Sequence, residues 1–366
     1  MESLSILIMN WRDIQNPEAG GAEVYTHEIA RRLVTWGDEV TLVTSRFPGA
    51  AREQFVDGVR VVRVGNKYAV YRRAKQTYLE SFRDQTDVVI DEINTIPFRT
   101  TRYVDGGTQL LVLIHQIARE SWNYETPFPV NVLGRYWLEN RWLRPYRGTP
   151  TITVSQSAKE DLMACGFRDV SIVPEGISVD PLPELPEKEE RPTFLFAGRL
   201  KRVKLPDHAI RAFARLAKRF PAAQLWILGD GYLRKELERT APRNTVFFGR
   251  VPESHKLHLM RRAHVLMYPA VREGWGLSVT EANAMGTPAV GYDVPGLRDS
   301  IRHGDTGLLV RAGDIDGMAE AAGSLIANES ERRRLALNAL RWAREFSWAK
   351  AAGQMREYVR GHLGRS

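Results

Sequence analysis

The sequence predicts an α/β protein made of two Rossmann-like, doubly wound parallel-sheet domains that face each other across a cleft. The chain has 366 residues, a length that suits two domains of ordinary size. Short β-rich runs alternate with amphipathic stretches, as in parallel sheets covered by helices. This alternation occurs twice, and a segment rich in proline and charge separates the two series.

The first series contains six predicted strands, several of them almost continuously hydrophobic, as is typical of strands buried on both faces. They lie at residues 5–10, 39–45, 59–64, 87–93, 110–115 and 151–155. A helix is predicted at 22–36, because Val24, Ile29 and Leu33 recur at helical spacing.

The segment after this series has no apolar periodicity, which predicts a linker over 174–192 and a first domain over 1–173. The second series has predicted strands at 193–198, 224–229, 245–248, 265–268, 289–292 and 307–310, with helices at 206–220 and 315–327. In open α/β sheets, ligands bind beyond the carboxyl ends of strands where the strand order reverses. Two such edges would form a cleft that holds two substrates.

The net charge of +8 favours anionic partners such as nucleotides, phospholipid headgroups or lipid-linked phosphates. Nucleic acid is not expected, because the chain has neither zinc-finger spacings nor the aromatic signature of an RNA-binding sheet. A single cysteine, Cys165, excludes an internal disulfide and fits a reducing cytosol. The chain shows no signal-peptide pattern and no apolar run near the roughly 20 residues that span a bilayer. We therefore expect a cytoplasmic protein.

The motif EGWGLSVTE begins at Glu273 and ends at Glu281, after a predicted strand and at the start of a helix predicted at 278–285. Gly274 and Gly276 let the backbone approach a ligand, and the amides entering the helix suit an anion. Each carboxylate can accept two sugar hydroxyls, so the pair could hold a hexose and a ribose. The alternative is an ordinary glycine turn followed by acids that the helix dipole favours.

The loop after the strand at 193–198 carries four cations in six residues, including Arg199 and Lys204 beside Gly198. Arginine and lysine at a strand's carboxyl end suit a diphosphate, although a solvated basic loop is the usual meaning of such a run. Its position in the expected cleft favours phosphate binding.

Two weaker signals lie in the first half. Gly20 and Gly21 stand at the predicted start of the first helix, where they suit an anion or form a plain turn. His115 ends a predicted strand, although a single histidine is more often structural. The chain lacks the G-x-G-x-x-G fingerprint, a Ser-His-Asp elbow, HExxH and a P-loop, which argues against NAD enzymes, hydrolases, proteases and kinases.

Taken together, these motifs resemble the retaining glycosyltransferases of family 4 (glycosyl transferases group 1), which have the GT-B fold. The resemblance rests on the order and spacing of motifs along nearly the whole chain. They are the Gly20-Gly21 loop, His115, TITVSQS at 151–157, the Gly198–Lys204 loop, LWILGDG at 225–231, NTVFFGRV at 244–251, Glu273 and Glu281, GDTGLLV at 304–310, and Phe346-Ser347-Trp348. The last resembles the point where the family's final helix, here 346–366, packs back on the first domain, which leaves 193–345 as the second.

The resemblance implies an acceptor-binding first domain and a nucleotide-sugar-binding second domain. Arg199 and Lys204 would stabilise the departing diphosphate, Glu273 would bind the donor sugar, and Glu281 would hold the ribose. The remaining implied donor contacts are the amides at Trp275, Gly276 and Leu277, backbone groups near Arg250 and Val251 at the base, Gly20 and Gly21 at the diphosphate, and His115 beside the transferred sugar. Front-face attack with retention, without metal or cofactor, is implied by the resemblance.

The chain departs from the family pattern at two places. Pro174-Glu175-Gly176 stands where proline-asparagine-glycine is common, and Lys204-Leu205 stands where lysine-glycine is usual. The first departure touches the interdomain hinge and the second the phosphate loop. Neither removes a charged residue that the implied mechanism needs.

The expected reaction is hexose transfer from a nucleoside-diphosphate sugar, with a UDP-sugar preferred over GDP-mannose, to a glycan, lipid-linked or small-molecule acceptor. Residues 67–73 and 136–147 mix aromatic and basic side chains, which suits an anionic membrane surface or, alternatively, a core face with solvated cations. A role in cell-surface glycan synthesis at the inner face of the membrane follows as a hypothesis. The alternatives are a nucleotide-sugar epimerase of similar fold, a dinucleotide oxidoreductase and a non-catalytic nucleotide-sugar-binding protein.

Overall fold

Two α/β units make up the computed structural model, which describes residues 3–363. The first unit holds the described residues up to Arg119, Val132–Gly176 and the described residues from Ser347 onward. The second unit holds Glu120–Asn131 and Ile177–Phe346.

The first unit is built on an eight-stranded sheet of order β3-β4-β2-β1-β5-β6-β7-β8. Its strands are β1 (Ser5–Met9), β2 (Glu39–Thr44), β3 (Glu53–Val56), β4 (Val59–Arg63), β5 (Val88–Glu92), β6 (Gln109–Leu113), β7 (Thr151–Thr153) and β8 (Val170–Ile172). All neighbours are parallel except β3 and β4. The strand order reverses between β1 and β5, which makes the carboxyl ends of these two strands the switch point of the unit.

Helices of very different length accompany this sheet. They are α1 (Gly21–Thr35), α2 (Val70–Thr77), α5 (Glu139–Leu143), α6 (Gln156–Ala164) and α14 (Trp348–His362). The helix α3 (Ser121–Glu125) belongs to the second unit, and α4 (Val130–Leu133) spans the boundary between the two units. Helical turns at Tyr78–Phe82, Arg83–Gln85, Thr100–Arg102, Gly134–Leu138 and Arg144–Tyr146 extend or separate them. The last helix packs on α1, where Arg356 donates to Asp38 at 2.8 Å and Trp348 lies edge-on to Tyr25.

The second unit has six parallel strands in the order β11-β10-β9-β12-β13-β14. They are β9 (Thr193–Ala197), β10 (Gln224–Leu228), β11 (Thr245–Gly249), β12 (Val265–Tyr268), β13 (Ala289–Tyr292) and β14 (Gly307–Val310). Its helices are α7 (Pro206–Arg219), α8 (Arg234–Thr240), α9 (Glu253–Arg262), α10 (Leu277–Ala284), α11 (Leu297–Ser300), α12 (Ile315–Ala327) and α13 (Glu329–Ala343), and a short turn spans Arg202–Lys204. Here the switch point lies between β9 and β12.

The predicted fold class is confirmed, because both units are doubly wound α/β structures with parallel sheets. All twelve predicted strands are present, each within two residues of the expected ends. Sequence patterns missed β3 and β8. The first is an antiparallel edge strand whose residues are all at least partly exposed, and the second has only three residues, so neither carries a buried apolar run.

The unit boundaries differ from the predicted ones in two places. Glu120–Asn131, predicted within the first domain, belongs to the second unit. Most of the predicted linker 174–192 also packs on that unit, since Leu182 donates its amide to Ala284 at 2.9 Å and Glu189 donates to Arg262 at 3.0 Å. Lys188 donates to the carbonyl of Gly286 at 2.8 Å, and burial lowers the pKa of Lys188 to about 7. These partners are tertiary, so the composition of the segment did not reveal them.

Across residues 3–363, no helix is both long enough and apolar enough to cross a membrane.

Candidate functional site

Two loops meet the carboxyl edge of the second sheet at its switch point. The first, after β9, contains Arg199 and Lys204, and the second, after β12, contains Glu273. Because β9 and β12 are hydrogen-bonded neighbours, these loops emerge side by side. The structure therefore brings the predicted basic loop and the predicted acidic motif together.

Backbone contacts hold the first loop. Leu200 donates its amide to the carbonyl of Asp230 at 2.9 Å, which ties the loop to the segment after β10. Gly229 has φ of +116°, and a Cβ at this position would lie 2.1 Å from the carbonyl oxygen of Gly198. Only glycine fits there, which gives the LGDG motif a structural role in supporting the basic loop.

Leu205 ends this loop in the left-handed region, with φ of +49° and ψ of +46°. That conformation costs a residue with a Cβ roughly 1–2 kcal/mol, whereas glycine adopts it without a comparable cost. The leucine side chain is buried, and its burial offsets the strain. Leucine at this position thus adopts the left-handed conformation that glycine favours.

Lys204 and Glu273 form an ion pair at the centre of the edge, and Tyr268 joins it. The Lys204 ammonium lies 5.9 Å from the Tyr268 ring centroid, and the Glu273 carboxylate also acts on the Tyr268 hydroxyl. Burial, together with the charge of Glu273, raises the pKa of Tyr268 well above its ordinary value, while Arg199 acts in the opposite direction. The side chains of Lys204 and Glu273 are only 16% and 9% exposed, so their charges act in a poorly solvated place.

The glycine motif after Glu273 has mainly a backbone role. The indole of Trp275 is buried, donates to the Thr280 hydroxyl at 2.9 Å and lies edge-on to Phe346. Gly276, with φ of +108°, precedes α10, which begins at Leu277. The first-turn amides of a helix have no partner within it, so this end of α10 presents donors.

Glu281 lies one turn into α10 and has a cationic partner that the sequence did not reveal. Lys256 on α9 donates to Glu281 at 2.8 Å and lies 2.9 Å from Glu253. Burial acts to lower the pKa of Lys256, but the two carboxylates outweigh it, and the pKa is raised. Lys256 is therefore a fixed cation beside the predicted ribose ligand.

Arg250 and Val251 follow β11, two strands away from β9 on the same edge. Arg250 is exposed and Val251 is half-buried. Both thus lie beyond a strand's carboxyl end, where the resemblance expected the base.

The segment Glu120–Asn131 contacts both loops of the second unit. Glu120 pairs with Arg272, next to Glu273, at 2.9 Å. Glu125 accepts the Val203 amide at 3.2 Å and the Tyr232 hydroxyl at 3.1 Å. A stretch from the first half of the chain therefore supports the basic loop, which no local pattern predicted.

In the first unit, Gly20 and Gly21 stand at the start of α1. The Gly20 amide donates to the Glu23 carboxylate at 2.6 Å, and Arg12 pairs with Glu23 at 2.8 Å. The end of this helix thus already holds a carboxylate of its own chain. The N-terminus of α1 therefore has less capacity to bind a further anion. Gly21 is nevertheless the first residue of this helix.

His115 lies two residues beyond β6 in a buried acidic cluster. Its Nε2 is 3.4 Å from Glu92, its Nδ1 is 3.8 Å from Glu175, and its ring is edge-on to Tyr25 with centroids 4.9 Å apart. Burial acts to lower the pKa of His115, but the two carboxylates outweigh it and raise the pKa to about 9. The two carboxylates therefore favour the protonated form of the ring. His115 and Glu175 each stand out in the sequence, but no local pattern predicts that they lie side by side.

Comparisons with known proteins identify the family of the chain. A model for Glycosyltransferase Family 4 matches residues 19–181, and a model for glycosyl transferases group 1 matches residues 182–342. The chain belongs to this glycosyltransferase family. The D-inositol 3-phosphate glycosyltransferase of Nocardia farcinica is 34% identical over 173 residues, which are 44% of this chain and 38% of that protein. The matched region of the chain thus spans well under half the length of this relative.

Solved structures resemble both units of this family member. Sucrose-phosphate synthase from Thermosynechococcus elongatus superposes with a TM-score of 0.80 at 18% identity, over 99% of this chain and 100% of that chain. Anabaena HepE in complex with UDP-glucose gives a TM-score of 0.73 at 16% identity, over 98% of this chain and 100% of that chain. At such identities the likeness concerns the fold alone, and it confirms the predicted GT-B fold.

Proposed function

We propose that the protein is a retaining glycosyltransferase that moves a hexose from a nucleoside-diphosphate sugar to a glycan, lipid-linked or small-molecule acceptor. The cluster of Arg199, Lys204 and Glu273 at the second switch point carries this proposal. It places cations for a diphosphate beside a carboxylate for sugar hydroxyls, at the edge where doubly wound sheets bind ligands.

The roles follow from the chemistry of each group. Arg199 and Lys204 take the diphosphate and stabilise the negative charge that develops as it leaves. Glu273, now paired with Lys204, turns to the sugar hydroxyls once phosphate oxygens take over the ammonium. Glu281 accepts from the ribose, the amides at Trp275–Leu277 donate to phosphate or sugar, and backbone near Arg250 and Val251 meets the base.

For the first unit, the resemblance supports Gly20 and Gly21 at the diphosphate and His115 at the transferred sugar. We further propose front-face transfer that needs no divalent metal, with Arg199 and Lys204 supplying the positive charge. A UDP-sugar is the preferred donor, which the UDP-glucose complex of the Anabaena structure supports only through a shared fold.

Membrane docking is part of the proposal for the acceptor. In the run from α4 to Tyr146, Tyr136 and Trp137 are 65% and 54% exposed, and Arg135 and Arg141 lie over their rings at 5.2 and 4.9 Å. Exposed aromatic rings with cations suit an anionic lipid surface. In residues 67–73, Val70 is buried and Tyr71 packs on Phe98, whereas Tyr68 is 78% exposed and the basic side chains lie at the surface. Failure of the protein to sediment with phosphatidylglycerol vesicles at low salt would count against docking.

The test of function is a thermal-shift series with UDP, GDP, ADP, TDP and NAD, with and without EDTA. A ligand at 100 times its Kd stabilises the folded state by about 2.7 kcal/mol, which a shift in Tm reveals. We expect only one of the nucleoside diphosphates to raise the Tm, and we expect EDTA not to change that shift. A response to NAD only, or to none of them, would contradict the proposal. Sugar release that does not depend on an acceptor would favour an epimerase instead.

A further inference from the structure

Four side chains form a buried cluster at the carboxyl edge of the first sheet. Glu92 ends β5, His115 follows β6, Glu175 follows β8, and Tyr25 belongs to α1. None of the four is more than 8% exposed. Charges in such a place must be balanced by neighbours, because water does not screen them.

The two carboxylates differ in their other partners. Glu92 accepts from the Thr26 hydroxyl at 2.6 Å, so its charge is stabilised by α1 as well as by the histidine. Glu175 approaches Nδ1 of His115 on the opposite side of the ring from Glu92. Both separations exceed a normal N–H···O hydrogen bond, so the attraction is mainly between charges.

The backbone holds Glu175 in place. Val173 donates its amide to Thr153 at 2.9 Å and accepts the Tyr25 hydroxyl at 3.1 Å. On the other side, a Cβ at Gly176 would lie 2.4 Å from the Trp348 amide nitrogen, so the chain there abuts α14. Contacts on both sides of Glu175 therefore restrain its backbone.

We propose that Glu175 is a positioning residue. Together with Glu92 on the opposite side of the ring, it holds His115 as an imidazolium. An imidazolium donates from both nitrogens and accepts from neither. In the transfer reaction His115 then acts as a donor of hydrogen bonds to sugar or phosphate oxygens, not as a base. This second statement rests on the proposed function, whereas the first concerns the free protein.

The test is an NMR titration of the histidines in the full-length protein, without substrate. The groups that face His115 are Glu92 on β5, Glu175 after β8 and Tyr25 on α1. Glu175→Gln should lower the pKa of His115 by roughly 1 to 3 pH units, and Glu175→Asp should restore most of it. The matched control is Asp57→Asn, which removes a carboxylate 2.7 Å from His27 in the same unit and should leave His115 unchanged.

A pH profile of kcat and KM supplies the second readout. If the pKa of His115 falls to about 7, its charged fraction at pH 8 falls roughly tenfold, and kcat should fall with it. A His115 that titrates in Glu175→Gln as in the wild type would overturn the proposal, and so would a lowered pKa without a change in the rate profile. A wild type that transfers no sugar would refute the proposed function, while the titration, which needs no substrate, would still decide whether Glu175 holds the ring.

Discussion

The two switch points of this molecule use similar groups with opposite charge balance. At the second, a lysine and a glutamate pair beside a tyrosine, on a loop that carries three further cations. At the first, one histidine stands between two carboxylates, again beside a tyrosine. The loop at the second edge therefore carries more basic than acidic side chains, whereas at the first edge two carboxylates face a single histidine.

This difference favours the second edge as the diphosphate site of the proposed function. An anion there meets Arg199 and Lys204 in a poorly solvated loop, where each charge has a strong effect. At the first edge, Glu92 and Glu175 offset the positive charge of the His115 ring, so an anion is attracted less strongly there.

The largest expected effect follows from removing the central cation. Lys204→Ala should reduce kcat about 10²- to 10³-fold, because the departing diphosphate loses a preorganised charge. Steady-state kinetics measures this loss. Lys201→Ala, on the same loop but outside the proposed contacts, is the matched control and should cost far less. Turnover of Lys204→Ala at the wild-type rate would remove Lys204 from the mechanism.

Glu273→Ala should reduce transfer by about 10²-fold and leave binding of the bare nucleoside diphosphate nearly intact. The reason is that Glu273 binds the sugar, while the phosphates use the cations. Calorimetric titration with the nucleotide, beside the rate of transfer, separates these effects. A large loss of nucleotide affinity would mean that Glu273 contacts the nucleotide and would contradict its proposed role at the sugar.

At the first edge, the pH dependence of stability tests the charged histidine. The pKa of His115 in the folded protein, about 9, lies above the ordinary value of 6.5. Its stabilisation is therefore complete below about pH 6.5 and is lost as the pH rises through 9. The difference in Tm between wild type and His115→Gln should thus shrink from pH 6.5 to pH 9. A difference that stays constant over this range would mean that the ring is neutral throughout.

The smallest effect is expected at Lys256. Lys256→Gln should weaken nucleoside diphosphate binding only a few-fold, because an ion pair that is partly exposed contributes up to about 1 kcal/mol. The control is Glu253→Gln, which leaves the pair of Lys256 and Glu281 intact. Equal effects of the two changes on Kd would show that Lys256 does not act through Glu281.

Local patterns predicted most of the scaffold. The strands at 265–268, 289–292 and 307–310 were placed residue for residue, because buried parallel strands are continuous apolar runs that a single segment displays. The positions of Arg199, Lys204 and Glu273 at strand ends followed from the same runs. The bounds of such a strand can be predicted from its own residues, because the strand begins and ends with its hydrophobic run.

Partners across the chain required the tertiary structure. Nothing near Lys256 points to Glu281 on another helix, and nothing near Glu125 points to the loop of Val203, 78 residues away. Glu175 was visible as an unusual residue, but its place beside His115 depends on the pairing of β6 with β7 and of β7 with β8. The sequence by itself determined the fold class, the family and the residues that bear charge at the strand ends. Which charges meet, and how well water screens them, was decided only by the packing of distant segments.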